Sequence, residues 1–530
     1  MVVHRLPNEV WLYIFELSTT EYLPDWELSN SMNKSAWFKH VFVGWCLQSP
    51  DELSMNTQKR RYKAVKVRRG GLQEHVSNSD RSTQAILSTC KRWRLIAGEF
   101  LFSHIAIFRP PLMYSLCNVL EREPHLGTYA RSIYLGGPTE PDTESLAILV
   151  SIIRRCPNVD IMVITWPLTA MYSATIADAL LSFTSKKIRT LRWNMSSSAQ
   201  PKVIWALNAL RKSLNFLDLQ FGVPSGEESP LGSAGNLNLV LPHLQKLSLR
   251  GFFSDFLEQC ADWSLPELHH VTLDYAFSPH DFPPVDEFCT QHGTNLTFLD
   301  INSLQNIDVA AILDLCPNLT TFLFNGDWRF PPSVEYPTES RLTNSPHPNI
   351  TTIGVHELQY AFGVGFGAKH ESFKVQYTQR SNDMNFAALN KRNFPKLRCV
   401  RVTNRGLLRA LESNNGPSQL GLSRWKEWWD QCAQQDVRLE DCTGGLLGTL
   451  PQDEPESDDG DDSEGEDESN GCGSDECESD ECETGGNWQE EDRPPTIQEL
   501  RDLLEECRRM SAAADRDNPV DFQLLAALQM

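Results

Sequence analysis

A chain of 530 residues with 40% hydrophobic content is long enough to bury a sizeable core, and its length suggests about three domains. The formal charge of -22 is concentrated: residues 453–492 hold 20 acidic residues and neither Lys nor Arg, so the rest of the chain is nearly neutral. A near-neutral body argues against a general affinity for nucleic acid, and the longest apolar stretch, around Leu146 to Ile153, is too short to span a bilayer.

The first predicted element runs Leu6-Pro7-Asn8-Glu9-Val10 through Ile14-Phe15-Glu16-Leu17. Val10, Ile14 and Leu17 share one helical face while Trp11 and Phe15 widen the apolar stripe, so this helix needs cover on two sides. Glu9 and Glu16, with no small-residue cleavage site beyond, argue against a signal peptide. A second helix, near Thr83 to Phe102, spaces Ile86, Cys90, Trp93, Ala97 and Phe100 at helical intervals and puts Lys91, Arg92 and Arg94 opposite. With Leu87 through Cys90-Lys91-Arg92-Trp93 following it, the first run resembles the F-box. That resemblance implies a compact trio of helices docking on the Skp1-like adaptor of a cullin-based ubiquitin ligase. Leu6, Pro7, Val10, Ile14, Phe15 and Leu17 would contact the adaptor, with Cys90 and Trp93 closing the second half. The insertion 18–82 splits the motif, and split F-boxes followed by degenerate leucine-rich repeats are similar to a large group of fungal proteins. The alternative is that both helices only cap the array that follows. Inside the insertion, Lys59, Arg60, Arg61, Lys63, Lys66, Arg68 and Arg69 read as a solvated loop, with a nuclear-import or phosphate-binding patch as the sharper alternative.

From Ala130 a pattern of apolar residue, two free positions, apolar, one free position, apolar returns ten times. It reads Ala130/Ile133/Leu135, Val159/Met162/Ile164, Ile188/Leu191/Trp193, Leu214/Leu217/Leu219 and Leu244/Leu247/Leu249, then Leu268/Val271/Leu273, Leu296/Leu299/Ile301, Leu319/Phe322/Phe324, Ile350/Ile353/Val355 and Leu397/Val400/Val402. The alternating pair in each predicts a short strand with one buried face. Helical patterns at Leu146 to Arg155, Ile176 to Thr184, Val203 to Lys212 and Val309 to Leu315 lie between, and Pro157, Pro242, Pro266, Pro317, Pro348 and Pro395 stop each unit two residues before its triplet. Strand, turn and helix in this order resemble a leucine-rich-repeat solenoid, without the Asn expected eight residues after each first apolar position. An ordinary α/β domain whose strands start alike is the competing account.

Residues between and after the apolar positions are expected to face solvent. Those following each triplet are Gly136, Thr165, Asn194, Gln220, Arg250, Asp274, Asn302, Asn325, His356 and Thr403. Arg192, Phe216, Asp218, Arg250, Phe298 and Asp300 are the candidate substrate-binding residues, since aromatics and arginines on one rigid face anchor protein interfaces. Gly363 to His370 lacks the Gly-Lys-Ser/Thr order of a phosphate loop and reads as a flexible loop. No catalytic residue, metal ligand or cofactor is expected, because no His-Glu-x-x-His, Gly-x-Ser-x-Gly or Cys-x-x-Cys occurs.

Trp425, Trp428 and Trp429 are expected to cap the array. Residues 451–487 are too charged to offset ordering entropy and read as disordered, with Ser463, Ser474 and Ser479 set for an acid-directed kinase. Thr496-Ile497-Gln498-Glu499 is a capping box opening a helix with Leu500, Leu503, Leu504 and Cys507 on one face. Fourteen cysteines at irregular spacing, Cys90, Cys156 and Cys316 among them, read as reduced thiols of a cytoplasmic or nuclear protein, which makes the sequons at Asn194, Asn295, Asn318 and Asn349 incidental. The expected architecture is therefore α/β: a split F-box-like domain at 1–108, a leucine-rich-repeat-like solenoid at 109–450, an acidic disordered linker at 451–493 and a helical segment at 494–530. The expected function is a non-enzymatic substrate receptor of an SCF-type ligase, with a Skp1-like adaptor, a cullin complex and a protein substrate as partners. A protein-interaction scaffold uncoupled from ubiquitination is the alternative.

Overall fold

The computed structural model describes residues 93, 98–99 and 102–447, apart from 108–109, 137–141, 167–168, 182–186, 223–230, 276–284, 304–306, 328–341, 366, 370–372 and 415. Twelve strands form one all-parallel sheet in sequence order: β1 (His104–Ile107), β2 (Ser132–Leu135), β3 (Ile161–Ile164), β4 (Thr190–Met195), β5 (Phe216–Phe221), β6 (Lys246–Gly251), β7 (His270–Tyr275), β8 (Phe298–Ser303), β9 (Thr321–Asn325), β10 (Thr352–His356), β11 (Cys399–Val402) and β12 (Arg438–Glu440). The second and third apolar members of every triplet fall in register from β2 to β11, as in Leu217↔Leu247 and Leu219↔Leu249. These side chains are fully buried together with Leu207 and Leu210 of the helix Gln200–Leu210 and Phe256 and Leu257 of Ser254–Ala261. One face of each strand is thus paired with a helix or turn, and the sheet buries a continuous core.

Local chemistry fixes where the helices begin. The side chains of Asp142, Asp308, Asn404 and Ser418 accept from the amides of Ser145, Ala311, Leu407 and Gly421, which satisfies a donor that the first turn leaves unpaired.

The architecture expected from the sequence is corrected. A helical amino-terminal module leading into a solenoid of like units is not what the described residues form; they form an α/β fold on one twelve-stranded parallel sheet. Its first strand, β1, stands ahead of the first triplet and pairs with β2. Its connections are not copies of one unit. Thr143–Arg155 and Ala170–Leu181 are full helices, β5 reaches β6 with only a 3₁₀ turn at Gly232–Ala234 among the described residues, and β10 reaches β11 through Gln359–Phe362 and the 16-residue helix Phe373–Ala388. The stretch Gly363 to His370, read as a loop, contains the short helical turn Gly367–Lys369. The amino-terminal segment to residue 92 and the acidic and carboxy-terminal segments from 448 lie outside the described residues, and with them the first expected helix, most of the second and the tail; of the second, Trp93, Gly98, Glu99 and Phe102 are described and helical.

Candidate functional site

The sheet face opposite the core helices carries the residues singled out in the sequence. The parallel register places Arg192 beside Asp218 and Gln220 beside Arg250. Both guanidinium groups turn to one carboxylate: Arg192 Nε lies 3.2 Å from Asp218 Oδ2 and Arg250 Nε 3.8 Å from Oδ1. Asp218 is buried and both arginine side chains are nearly so, at 13% and 14% exposure. The solvent-facing ladder expected there is corrected accordingly, because both guanidinium groups turn inward to a shared, buried carboxylate. Phe298 is also buried and stacks flat on His270, with ring centroids 3.8 Å apart. Phe216, Lys246 and His270 remain half-buried in one row across β5, β6 and β7. Burial lowers the Lys246 ammonium pKa from its ordinary value.

Toward β11 a second group of polar side chains closes on itself. His356 contacts Asp300 Oδ1 through Nε2 at 2.7 Å and Thr403 Oγ1 through Nδ1 at 2.8 Å. The Thr403 hydroxyl donates to the Val355 carbonyl at 3.1 Å, so it accepts from the imidazole. Both ring nitrogens thus lie within hydrogen-bond distance of an oxygen, an arrangement that favours the doubly protonated ring. The pKa of His356 is raised: burial works to lower it, but the charge of Asp300 and its hydrogen bond, then Asp274 and Glu357, prevail. Next to it, burial and the nearby Asp327 push Glu357 up to about 7, against the opposing effect of His356. Asp274 is raised as well, by burial first and by Asp300, with Arg250 and His356 opposing.

Amides extend the group across the sheet. Asn302 donates to Asp274 at 3.0 Å, Asn325 to Asn302 at 2.8 Å, the Asp327 amide to Asn325 at 2.9 Å and Asn382 to Asp327 at 3.0 Å. Thr403, His356 and Asp300 are the residue types of a nucleophile, base and carboxylate, but Thr403 is only 2% exposed and its hydroxyl is committed to Val355 and His356. The arrangement sets the sheet surface and its charges rather than presenting an attacking group.

At the amino ends of β7 to β11 an open groove of about 750 Å³ is lined by Glu267, His269, Thr297, Asn318, Thr351 and Lys396. Its walls explain three of the sequons. Asn318 and Asn349 donate to the carbonyls of Thr294 and Pro317, while Thr297, Thr320 and Thr351 donate to those of His269, Thr297 and Thr320. The Thr of each sequon ties its strand to the predecessor, and Asn318 and Asn349 add a second bond.

Of the residues read as adaptor-contacting, Leu6, Pro7, Val10, Ile14, Phe15, Leu17 and Cys90 lie outside the described residues; Trp93 is helical and half-buried. The sequence placed Arg192, Phe216, Asp218, Arg250, Phe298 and Asp300 on one face, and the structure brings Arg192, Asp218 and Arg250 together. It joins Asp300 to His356 instead, a pairing across two strands with no signal in the sequence. Glu357 and Asn382 were likewise missed, since neither stands in the triplet pattern. Among the described residues no group of His, Cys, Asp and Glu is arranged to hold a metal, and no helix is long and apolar enough to cross a membrane. No protein-family model matches the chain, and no match was found among curated proteins.

Proposed function

We propose that the chain is a substrate receptor of an SCF-type cullin ubiquitin ligase, acting in the cytoplasm or nucleus. Its F-box-like sequence, Leu6 to Leu17 with Leu87 to Trp93, recruits a Skp1-like adaptor, and the sheet presents a protein substrate for ubiquitin transfer by other subunits and subsequent degradation. The observation that carries the recognition half is the row Phe216, Lys246 and His270 along adjacent strands, each half-buried, on a frame pinned by the Arg192–Asp218–Arg250 group. Large aromatic and cationic side chains held rigid contribute most when a partner covers them, because little ordering entropy remains to be lost. Strand spacing of about 4.8 Å puts the three within ~10 Å, a span one partner segment covers.

Co-purification separates this reading from an interaction scaffold uncoupled from ubiquitination. The adaptor is expected to copurify with the wild-type chain and to be lost from the Leu6→Ala/Pro7→Ala variant; retention in the variant sinks the assigned contact. Phe216→Ala/Lys246→Ala is expected to lose proteins that accumulate on the wild-type chain under proteasome inhibition, with unchanged melting and unchanged adaptor recovery. Undiminished substrate recovery places recognition elsewhere.

A further inference from the structure

The last two strands gather exposed cations at one end of the sheet. The turn before β11 and the amino ends of β11 and β12 carry Arg392, Lys396, Arg398 and Arg438, all exposed. Arg398 and Arg438 are neighbours, the Arg438 amide donating to the Arg398 carbonyl at 2.8 Å. Arg438 reaches Glu440 at 3.2 Å while staying 63% exposed, and among the described residues Arg392, Lys396 and Arg398 have no carboxylate at ion-pair distance. Asp436, in the turn before β12, is an exposed acid at this end and does not balance four cations.

The path of the chain supplies a second, independent observation. After β12 the backbone reverses: the Asp441 amide donates to the Gly445 carbonyl at 2.8 Å, and Leu446 pairs antiparallel with Glu440. The described chain thus ends beside β12, whose first residue is Arg438. Asp453 follows six residues after Leu447, a reach of ~20 Å when extended, and the 20 acidic residues of 453–492 begin there. The most acidic part of the chain therefore begins within reach of the exposed cations at this end of the sheet.

We propose that the acidic segment 453–492 docks on the cationic end formed by Arg392, Lys396, Arg398 and Arg438. A six-residue tether keeps its local concentration in the millimolar range, so many weak pairs suffice without a deep pocket. The contact is electrostatic and is screened by salt. It also sets what else this end binds, since an external polyanion must displace the chain's own carboxylates.

Zero-length carbodiimide cross-linking of the full chain tests this, with peptides read by mass spectrometry. Lys396 is expected to join carboxylates between Asp453 and Glu466 at about 50 mM salt, with a yield independent of protein concentration and at least about fivefold lower near 500 mM. Arg392→Glu/Arg398→Glu is expected to lower that link about fivefold with melting unchanged. Arg392→Glu alone, in an exposed turn, lowers it in part and serves if the double variant fails to fold. The proposal is overturned if Lys396 joins no acid of the segment, if the segment joins only Lys59, Lys63 and Lys66, if the link ignores salt, or if it forms between copies and grows with concentration.

Discussion

Asp218 shows how much one carboxylate decides on this surface. It is buried between two arginines, and removing it takes away the carboxylate that two nearly buried guanidinium groups share. Breaking a buried pair from one side costs more than the pair contributes, so Asp218→Ala is expected to destabilise the fold by ~3 kcal/mol, read by denaturant unfolding. The acid cluster near His356 gives a pH dependence of definite sign. Glu357 rises to about 7 on folding, so the folded state holds its proton more tightly than the unfolded state, and stability falls as pH rises from about 4.5 through about 7. His356 acts in the same sense: its raised pKa contributes stability that is complete below 6.5 and lost as pH passes its folded value. Glu357→Gln keeps the shape and removes the titration, so the decline between pH 4.5 and 7 is expected to shrink by about 3 kcal/mol, the equivalent of the rise from 4.5 to about 7. An unchanged pH profile in that variant assigns the decline to other groups. Glu357 and Leu358 both adopt positive φ, 64° and 76°, without glycine. The burial of Leu358 and the 3.2 Å bond from Asn404 to Glu357 hold that strained corner in place.

Among the elements, the helix Phe373–Ala388 is anchored by buried amides as well as by the buried ring of Phe386. Its sequence has no apolar period, yet Asn382 and Asn385 are buried and donate to the Gly326 carbonyl at 2.5 and 3.2 Å. Asn382→Ala is expected to cost about 1–3 kcal/mol by leaving that carbonyl and Asp327 underbonded, and to speed amide exchange in residues 373–388 before the strands. This element also marks where the sequence stops being legible. Ten strands announce themselves because an alternating apolar pair has to bury one face, and Leu217/Leu219 or Phe322/Phe324 do so wherever they stand. β1 carries the same spacing in Phe102/Ile105/Ile107 but was missed, because Phe102 closes the apolar stripe read as the helix before it. The polar face reads correctly as a face, but alternation says only which side a residue is on. Whether Arg192 meets water or Asp218 depends on the neighbouring strand, and the bond from His356 to Asp300 spans two strands.

On the scale of the whole molecule, each strand's backbone pairs only with its neighbours in sequence, so stability passes largely along the row from one strand to the next. The middle strands have a partner on either side, whereas β12 is three residues long and is held by β11 and the helix Gln419–Gln434. That helix is in turn fixed through Trp428, which stacks on Phe386 at 3.7 Å and meets Phe362 at 5.6 Å. Replacing Trp428 empties the space between three rings, a loss of about 3–5 kcal/mol for a buried large aromatic. In an array of nearest neighbours such a loss is local, because an end opens without the centre. Trp428→Ala is therefore expected to abolish slow amide exchange in β11 and β12 while β5 to β8 keep theirs, and to add an early step to thermal unfolding. Uniform loss of protection across all twelve strands shows instead that the sheet unfolds as a single cooperative unit.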